Sequence, residues 1–364
     1  MAVQLTREDV LGHRVRAQQL DRTSGTLADT AVLDLGVQDT GADAGRWALA
    51  LRGVDVGAAG AAEDLALVWT LRGAPHLYRR ADLPGVAAAT APFSDADAGK
   101  RIFDAAKPLK AAGIPNLTAL DTVASAMREI VTVPTVKGDM SGQLTARLTP
   151  PYLRFCRPCD ATHVHEMPFR LAALRAGLEL QPDTSPPVLQ PVSGFAPAET
   201  VPEHLDVVRG YLRLHGPATP QQVAGYLDAP VRDVRARWPE DAVEVSVDGE
   251  RRWAPAADVD RLTAGPARCV RLLGPFDPYL QTRDRSLLVG DPARAKDLWR
   301  TLGRPGGVLV DGEIAGTWRP RKAGKRLSVA VQLWREVPAA ALAAQAERLA
   351  AVRRTELAGV DVGG

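Results

Sequence analysis

The sequence predicts an α+β protein in which tandem winged-helix (helix-turn-helix) units lie around a C-terminal β-rich part. Three patterns predict this fold class. Residues 203–254 have the order of elements of a complete winged helix, and helices followed by extended segments recur twice before residue 150. After residue 306, three strand-like segments follow one another. Because no exact sequence repeat accompanies these patterns, we expect the repetition to be one of topology only.

The segment 203–254 contains the clearest secondary-structure signals of the chain. Glu203–His215 carries apolar residues at helical spacing, and Gly216-Pro217 stops that helix. Thr219 then begins a second helix, in which Gln222 completes the pattern of a capping box. These signals predict two consecutive helices with a sharp boundary between them.

The third helix of this unit opens at Pro230 and carries the residues that favour contact with DNA. In a winged helix, the third helix is the one that enters a major groove. Its arginines point away from the predicted core: Arg232, Arg235 and Arg237. The hairpin dipeptide Asp248-Gly249 then joins strands predicted at 243–247 and 251–254. The alternative is a winged helix that serves only as a scaffold or for protein contacts.

Two earlier segments predict further winged-helix-like units, so the chain divides into four parts. The divisions are 1–100 for an N-terminal unit, 101–190 for a second unit with a Pro-rich linker, 200–258 for the central winged helix and 265–358 for the C-terminal part. The elements predicted in the first two parts are helices at 7–20 (capped by Thr6), 27–35 (ended by Gly36), 117–131 and 165–180, extended chain at 65–71 and 133–148, irregular chain at 151–158 and a linker at 181–199. Residues 47–53 fit either a strand or a short helix.

The C-terminal part combines strands with a basic turn. Its predicted elements are strands at 307–310, 313–318 and 327–334 and an alanine-rich helix at 339–358, after which we expect disorder. The turn over 319–326 contains five basic residues and no acidic one: Arg319, Arg321, Lys322, Lys325 and Arg326. A basic hairpin tip can contact a phosphate backbone or enter a minor groove. The alternative is an ordinary solvated tip.

Composition narrows the classes of function. The chain has 364 residues, with 45 Lys and Arg against 43 Asp and Glu, so its net charge is only +2. Any surface for nucleic acid must therefore come from local clustering of charge. The sequence shows no signal peptide and no apolar stretch long enough to cross a bilayer, and its three cysteines fit a reducing cytoplasm. Because no coiled-coil pattern argues for a dimer, we expect a cytoplasmic monomer.

One cluster of metal-type residues consists of Cys156, Cys159, His163 and His165. Cys-x2-Cys is a common half-site for zinc. Both histidines, however, fall within a few residues of the second cysteine, whereas structural zinc sites usually place the second ligand pair on a separate element. Because four ligands so close together would strain the chain, we expect buried thiols, no bound metal and no cofactor. Zinc is the alternative.

His76 is a further candidate, because it follows Arg72-Gly73 at the exit of a predicted strand. Catalytic or DNA-facing side chains often lie at such positions, and we therefore count His76 among the candidate DNA-binding residues. Other chemistry finds no support, since the sequence has no Gly-rich phosphate loop, no serine nucleophile elbow and no HExxH motif.

Four segments occur together and resemble one bacterial family. They are Gly36–Thr40, Trp69–His76, Pro275–Pro278 and Gly312–Arg319. They are similar to the winged helix DNA-binding domain-containing protein family, which includes the AlkZ-type DNA glycosylases of azinomycin resistance and the YcaQ-type enzymes. The resemblance runs from about Leu5 to Leu349. It implies a concave basic channel for double-stranded DNA and enzymes that remove bulky alkylated purines, some of which unhook interstrand cross-links.

The resemblance also implies a catalytic signature, which is Gln, an apolar residue, then Gln or Asp. Gln38 matches the first position, whereas Asp39 and Thr40 depart from the second and third. A purine alkylated at N7 is a good leaving group, so the main task is to orient water and tolerate positive charge at the sugar. Gln38 can hold that water because an amide both donates and accepts. Thr40 points to the same side in an extended segment, whereas a bend would bring Asp39 beside Gln38.

Two hypotheses follow from these residues. The first is a monofunctional DNA glycosylase that hydrolyses N-glycosidic bonds of bulky or N7-alkylated purines, with Gln38 and either Asp39 or Thr40 as catalytic residues. The second is a non-catalytic winged-helix DNA-binding or regulatory protein, in which Asp39 only caps a helix or turn. The pair Asp39-Thr40 separates the two, because it stands where the family signature places the partner of the glutamine.

Overall fold

The computed structural model describes residues 3–363 and divides into two compact units. The first unit combines the chain up to Ala62 with Val208–Tyr226 and the chain from Trp238 onward. The second unit combines Glu63–Val207 with Leu227–Arg237. Each unit is therefore assembled from segments that are distant in the sequence, and the four-part division stays a prediction.

Both units contain helices and strands, which confirms the α+β class. The α-helices are α1 (Arg7–Ala17), α2 (Ala44–Leu51), α3 (Leu83–Thr90), α4 (Asp95–Arg101), α5 (Ala106–Ala111), α6 (Asn116–Ile130), α7 (Lys137–Arg147), α8 (Glu166–Ala173), α9 (Val207–His215), α10 (Pro220–Leu227), α11 (Val231–Arg235), α12 (Val259–Leu262), α13 (Arg285–Leu288), α14 (Pro292–Leu298) and α15 (Ala339–Val352). The strands are β1 (Val3–Leu5), β2 (Val37–Gln38), β3 (Leu65–Trp69), β4 (Pro75–Arg79), β5 (Thr135–Val136), β6 (Leu153–Cys156), β7 (Ala161–Val164), β8 (Leu178–Leu180), β9 (Val188–Pro191), β10 (Ala242–Val247), β11 (Glu250–Pro255), β12 (Val270–Leu273), β13 (Gly306–Val310), β14 (Glu313–Ala323), β15 (Arg326–Leu333) and β16 (Glu356–Gly363). Among the helices of residues 3–363, none combines the length and apolar character that crossing a membrane requires.

Two sheets organise the first unit. The larger sheet has the order β12-β13-β14-β15-β16, in which neighbours are antiparallel except for the parallel pair β15 and β16. The smaller sheet has the order β1-β10-β11, with β1 parallel to β10 and a hairpin between β10 and β11. Apolar side chains of α1, α2 and α15 join those of both sheets in one core. Removal of this apolar surface from water is the main force that stabilises the unit.

The second unit is built on antiparallel strands in the order β4-β3-β8-β9-β5. Its long helix α6 packs against α4, α5, α7 and α8. The buried face of α6 includes Leu120, Val123 and Met127, which recur at the three- and four-residue spacing of one helix face. Strands β6 and β7 form a separate two-stranded hairpin.

Local signals in the sequence locate several element boundaries correctly. Thr6 and Asp9 form a capping box that starts α1. Thr219 and Gln222 form the box predicted for α10, with the Thr219 N–H donating to the glutamine side chain at 2.8 Å. At the turn between β10 and β11, both residues of Asp248-Gly249 have positive φ, 48° and 85°, as a type I′ hairpin requires.

Three predicted elements were wrong. The helix expected at 27–35 is only a short 3-10 turn, Ala31–Asp34, because Gly36 turns the chain away immediately after it. The extended chain expected at 133–148 is mostly α7, whose buried residues Met140 and Leu144 are spaced by one helical turn. The terminal residues expected to be disordered include β16, whose backbone pairs with β15.

Other element boundaries shift. The basic turn expected over 319–326 is mostly strand, since β14 and β15 pair as far as Ala323 and Arg326 and leave Gly324-Lys325 at the tip. Further differences are a helix α8 that ends at Ala173 before β8, a strand β6 within the segment expected to be irregular, a strand β9 within the expected linker, and a terminal helix α15 that ends at Val352 instead of residue 358.

Candidate active site

The segment around Gln38 follows a short 3-10 turn directly. Gly36 has a φ of 84°, a left-handed conformation that suits glycine, and it turns the chain into β2. Val37 is fully buried and anchors the strand. The side chains of Gln38, Asp39 and Thr40 are half-buried. They are therefore fixed by the protein while part of each remains accessible to solvent.

The Gln38 amide belongs to a chain of side-chain hydrogen bonds. Its Nε2 donates to Thr40 Oγ1 over 3.0 Å, and its Oε1 accepts from Gln281 Nε2 over 3.3 Å. Gln281 Nε2 also donates to the Phe276 carbonyl over 3.2 Å, which ties it to its own turn. Because a side-chain amide has two N–H donors and two lone pairs, these bonds leave Gln38 one donor and one acceptor position for a further partner.

Asp39 is bonded to a different element. Its Oδ1 accepts the backbone N–H of Gly45 over 2.8 Å, in the first turn of α2. The unpaired N–H groups at a helix N-terminus stabilise a carboxylate in this position. The geometry therefore pairs Thr40 with Gln38, as expected for an extended backbone, and gives Asp39 a helix-start contact.

A buried ion pair fixes the turn that carries Gln281. Arg52 donates to both oxygens of Asp277 over 2.9 and 3.0 Å, and both side chains are 0% exposed. Asp277 also accepts the N–H of Tyr279 and so caps the 3-10 turn Pro278–Gln281. Two-point pairing fixes orientation as well as charge, so Gln281 extends from a rigid support.

A cavity of about 360 Å³ has Thr40 in its wall. Two tryptophans, Trp47 and Trp318, also line it. Each indole N–H donates to a backbone carbonyl of β12, from Trp47 to Leu272 over 2.7 Å and from Trp318 to Leu273 over 2.8 Å. These bonds fix both rings, which are 1% and 2% exposed and therefore form a rigid support behind the cavity surface.

Arginines give this region a positive charge. Those in the cavity wall are Arg304, Arg319 and Arg353. The Arg304 guanidinium lies over the Phe276 ring, 4.9 Å from its centroid. Burial lowers the pKa of Arg304, and the positive charge of Arg283 lowers it further. Burial, followed by the positive charges of Arg283 and Arg304, lowers the pKa of Arg285 to about 10. Cations that disfavour one another in this way are stabilised by an anion.

The arginines predicted on the third winged-helix helix are all exposed. Helix α11 is short, so Arg232 and Arg235 lie within it and Arg237 lies just beyond its end. Arg232 Nε pairs with Asp233 at 3.1 Å. The Arg237 guanidinium lies 4.3 Å from the centroid of the Phe93 ring. Arg232 and Arg237 thus already have partners within their own unit, yet each keeps an exposed face.

The basic hairpin presents its charges in two ways. Arg319 is half-buried and lies in the cavity wall, and burial, followed by the charge of Arg300, lowers its pKa. The four basic residues nearer the tip are exposed: Arg321, Lys322, Lys325 and Arg326. One hairpin therefore carries positive charge from the cavity to an exposed tip.

His76 is a core residue, which corrects its assignment to DNA contact. Its side chain is 1% exposed, and Nδ1 lies 2.9 Å from the Ala74 carbonyl and 3.1 Å from Thr70 Oγ1. Burial, followed by the charge of Arg72, lowers the pKa of His76 to about 3. The ring is therefore neutral near neutral pH and does not reach the surface.

The cysteine and histidine cluster is only partly assembled. Cys156 Sγ, Cys159 Sγ and a ring nitrogen of His163 lie within 4.8 Å of one another. The thiols are half-buried and exposed, respectively, so the expectation that they are buried was wrong. His165 is 6% exposed and lies apart from this group, with its Nδ1 3.9 Å from a carboxylate oxygen of Asp104.

Sequence reasoning missed two parts of this region. Gln281 lies three residues after the segment Pro275–Pro278 that carries part of the family resemblance, and this closeness was a signal that could have identified it. The two tryptophans had no such signal, because Trp47 and Trp318 are distant in sequence and meet only in the folded unit.

The comparisons with known proteins agree on one family. A model of the AlkZ-like DNA glycosylases matches residues 27–352. The structure of the Streptomyces sahachiroi DNA glycosylase AlkZ is similar, with a TM-score of 0.76 and 19% sequence identity over 99% of this chain and 100% of that chain. At this identity the structural similarity shows the fold alone, and no curated protein sequence matches the chain. Because the family model covers most of its length, this chain belongs to the AlkZ-like DNA glycosylase family.

Proposed function

We propose that this protein is a monofunctional DNA glycosylase that hydrolyses the N-glycosidic bonds of bulky or N7-alkylated purines in double-stranded DNA. The observation that carries the proposal is the bonded group Thr40–Gln38–Gln281, whose threonine lies in the wall of a cavity that is also lined by arginines. Family membership supports the reaction class, and the arrangement of these side chains supports the residues.

The chemistry requires little from the protein beyond positioning and charge. A purine alkylated at N7 leaves with its bonding electrons as a neutral base, so no strong general acid is needed. A water molecule must reach the sugar carbon as positive charge develops there. Gln38 can accept a hydrogen bond from that water and donate one to it. Thr40 and Gln281 act on opposite ends of the Gln38 amide and fix its plane.

The cavity suits a base that has left the helix. Enzymes that act on a base extrude it from the duplex into a pocket, and a volume of about 360 Å³ lies within the range of ligand pockets, roughly 300–1,000 Å³. The side chains of Trp47 and Trp318 are only 1% and 2% exposed, so they support the proposed base pocket from behind and do not stack on the base.

The arginines near this pocket suit the phosphates that flank an extruded nucleotide. Arg304 and Arg285 have lowered pKa values because they are partly buried and close to other arginines. A phosphate between such groups relieves their repulsion and gains charge-assisted hydrogen bonds. We assign Arg283, Arg285 and Arg304 to the backbone next to the lesion.

Contacts farther along the duplex are assigned to the basic hairpin and the third helix of the central winged helix. The proposed phosphate contacts are Arg232, Arg235, Arg237, Arg319, Arg321, Lys322, Lys325 and Arg326. The protein acts as a monomer on double-stranded DNA.

One observation favours a second function, which is DNA binding without catalysis. Asp39, the acid nearest Gln38 in sequence, bonds to Gly45 at the start of α2. Thr40 stands at the signature position where the family has Gln or Asp, and its hydroxyl is a weaker base than either of those side chains. A protein of this kind would bind duplex DNA and leave its glycosidic bonds intact.

Incubation with a duplex that contains N7-methylguanine distinguishes these functions. The glycosylase releases free N7-methylguanine and leaves abasic sites faster than spontaneous depurination in a protein-free sample. A known alkylpurine glycosylase assayed in parallel shows that the substrate is competent. Binding to the duplex without release of base above the spontaneous rate would support the non-catalytic function instead.

A further inference from the structure

We propose that Cys156, Cys159 and His163 form a metal site that binds zinc at the end of the β6–β7 hairpin. The two thiol sulfurs and one imidazole nitrogen lie within 4.8 Å of one another. This proposal reverses the expectation of no bound metal that the sequence spacing favoured. It concerns the second unit and does not depend on the proposed glycosylase activity.

The hairpin explains how ligands so close in sequence can converge. Strands β6 and β7 are antiparallel, with Cys156 opposite Ala161 and Arg154 opposite His163. Residues 154 and 156 share one face of β6, and 161 and 163 share the same face of β7, so Cys156 and His163 lie diagonally across one face. The sequence argument required a separate element for the second ligand pair, and strand β7 is that element.

The turn supplies the remaining ligand. Arg157–Cys159 forms a 3-10 turn, and Asp160 takes a φ of 49°, which reverses the chain into β7. Cys159 therefore folds back toward Cys156. A cysteine at a strand end and another three residues later in a tight turn is the arrangement of many zinc half-sites.

His163 has the tautomer that a metal needs. Its Nδ1 lies 2.9 Å from the Val164 carbonyl oxygen. A carbonyl oxygen can only accept, so Nδ1 carries the proton and donates it. The lone pair of the neutral ring is then on Nε2, and a hydrogen bond at the other nitrogen is how most metal-binding histidines are oriented.

The chemistry of the ligand set selects the metal. Two thiolates and an imidazole favour zinc over calcium or magnesium, which prefer oxygen. With Zn–S bonds of about 2.3 Å and Zn–N bonds of about 2.0 Å, tetrahedral ligand atoms lie roughly 3.5–3.8 Å apart. The side chains must therefore close by about 1 Å, from a spacing of at most 4.8 Å. Binding releases one proton from each thiol to solvent.

Three protein ligands leave one coordination position for water. His165 does not fill it, because this residue is 6% exposed and lies beside Asp104. Since Cys159 is exposed and its two partners are half-buried, the ion sits at the surface. Its consequence is a cross-link between the two strands and their turn, which shields both thiols from oxidation and alkylation.

Metal content and cobalt substitution test the site directly. Protein purified with reductant and without chelator should hold about one zinc per chain by elemental analysis. Cobalt added to the zinc-free protein should give a thiolate-to-cobalt charge-transfer band and the visible spectrum of a tetrahedral ion. Cys156→Ser, Cys159→Ser and His163→Ala should each reduce zinc retention at least tenfold. Thr162→Ala, an exposed position on the same hairpin, should retain it.

Alkylation of the thiols gives an independent measurement that uses the wild-type protein, so its result does not depend on whether any variant folds. In the wild-type protein, zinc should slow iodoacetamide labelling of Cys156 and Cys159 at least tenfold, while a chelator restores fast labelling at both positions by mass spectrometry. The proposal is overturned if cobalt gives no thiolate band in wild type, or if the band persists in Cys156→Ser. Equal labelling rates with and without zinc, or a disulfide between the two cysteines under the reducing conditions of purification, would also overturn it.

Discussion

The hydrogen bonds around Gln38 distinguish between its two neighbours Asp39 and Thr40. The sequence left open whether Asp39 or Thr40 is the partner of Gln38, and the structure bonds Gln38 to Thr40 and Asp39 to Gly45. It also adds Gln281, whose amide reaches the oxygen of Gln38. A glutamine from a distant turn thus lies within hydrogen-bond distance of the glutamine in β2.

The two neighbours of Gln38 should differ in their effect on base release. Thr40→Ala removes the acceptor that holds Gln38 Nε2, so we expect a loss of about tenfold to a hundredfold, near the lower end of the range for positioned groups. Asp39→Asn keeps a side-chain oxygen that can accept the Gly45 N–H. We therefore expect this variant to release base less than about threefold more slowly than wild type. Single-turnover release of N7-methylguanine measures both. A larger loss for Asp39→Asn would instead identify the carboxylate as the base.

Gln281 should act through Gln38. Gln281→Ala removes the donor to Gln38 Oε1 and should lower the rate of base release about tenfold, a part of the effect of a positioned catalytic group. Combined with Gln38→Ala it should add little, because residues that act as one unit are strongly non-additive. Losses that multiply in the double variant would show that Gln281 works independently of Gln38.

At the scale of elements, the basic hairpin β14–β15 is the most direct test of DNA contact. Sequence analysis identified its charges correctly but placed them on a turn, because the run 319–326 contains Pro and Gly and lacks the alternation of a buried strand. The strands continue to Ala323 and Arg326, since backbone pairing does not require a buried face. The basic residues therefore lie on a paired two-stranded hairpin and not on a turn.

Removal of the charge at this hairpin should weaken binding to any duplex and reduce its dependence on salt. If Arg321, Lys322, Lys325 and Arg326 each contact one phosphate, changing all four to Ala should reduce the slope of log affinity against log salt by about 3.6, at about 0.9 per contact. Fluorescence anisotropy over a salt series measures the slope. Lys107→Ala with Lys110→Ala, two exposed lysines in α5, is the control. An unchanged slope in the hairpin variant would remove this hairpin from the DNA interface.

The turn that carries Gln281 depends on the buried pair of Arg52 and Asp277. Asp277→Ala leaves the Arg52 charge buried and uncompensated, and we expect it to lower the free energy of unfolding by about 3–5 kcal/mol. Urea denaturation measures the loss. Asp291→Ala, an exposed helix cap, is the control and should cost only about 1 kcal/mol. Similar losses in the two variants would mean that the buried pair does not stabilise the fold.

For the whole molecule, the fold class and the family were accessible from the sequence, whereas the division into units was not. Capping boxes and hairpin dipeptides such as those at Thr6 and Asp248-Gly249 are local, so they can be recognised in one sequence. The two units, by contrast, are each assembled from distant segments. The cavity likewise depends on tertiary pairing of Trp47 and Trp318 with β12, for which no local pattern exists.

Buried neutral histidines should make the whole protein sensitive to acid. Burial lowers the pKa of His13 to about 4 and that of His76 to about 3. A histidine whose pKa is depressed on folding contributes stability that is present above its unfolded pKa, about 6.5, and is lost as the pH falls toward the folded value. The free energy of unfolding should therefore fall by several kcal/mol, on the order of 1.4 per pKa unit, between pH 6.5 and 4.

His76→Asn tests this pH dependence, because it removes one of the buried rings whose pKa is lowered. Urea denaturation at pH 7 and at pH 4 should show a smaller difference for the variant than for the wild type. The comparison uses the difference in the free energy of unfolding between pH 7 and pH 4. The cost of any cavity created by the smaller side chain is the same at both pH values and cancels in this difference. An equal difference in the two proteins would mean that His76 is not the group that takes up the proton.

Single-turnover release of N7-methylguanine by Gln38→Ala shows whether Gln38 positions the water that attacks the sugar. The experiment uses saturating protein, follows duplex binding in parallel, and includes Gln143→Ala, an exposed glutamine in α7, as the matched control. We expect a rate at least about a hundredfold below wild type for Gln38→Ala, as for a residue that positions water, with duplex affinity unchanged and the control equal to wild type. Release by Gln38→Ala at the wild-type rate would contradict this expectation.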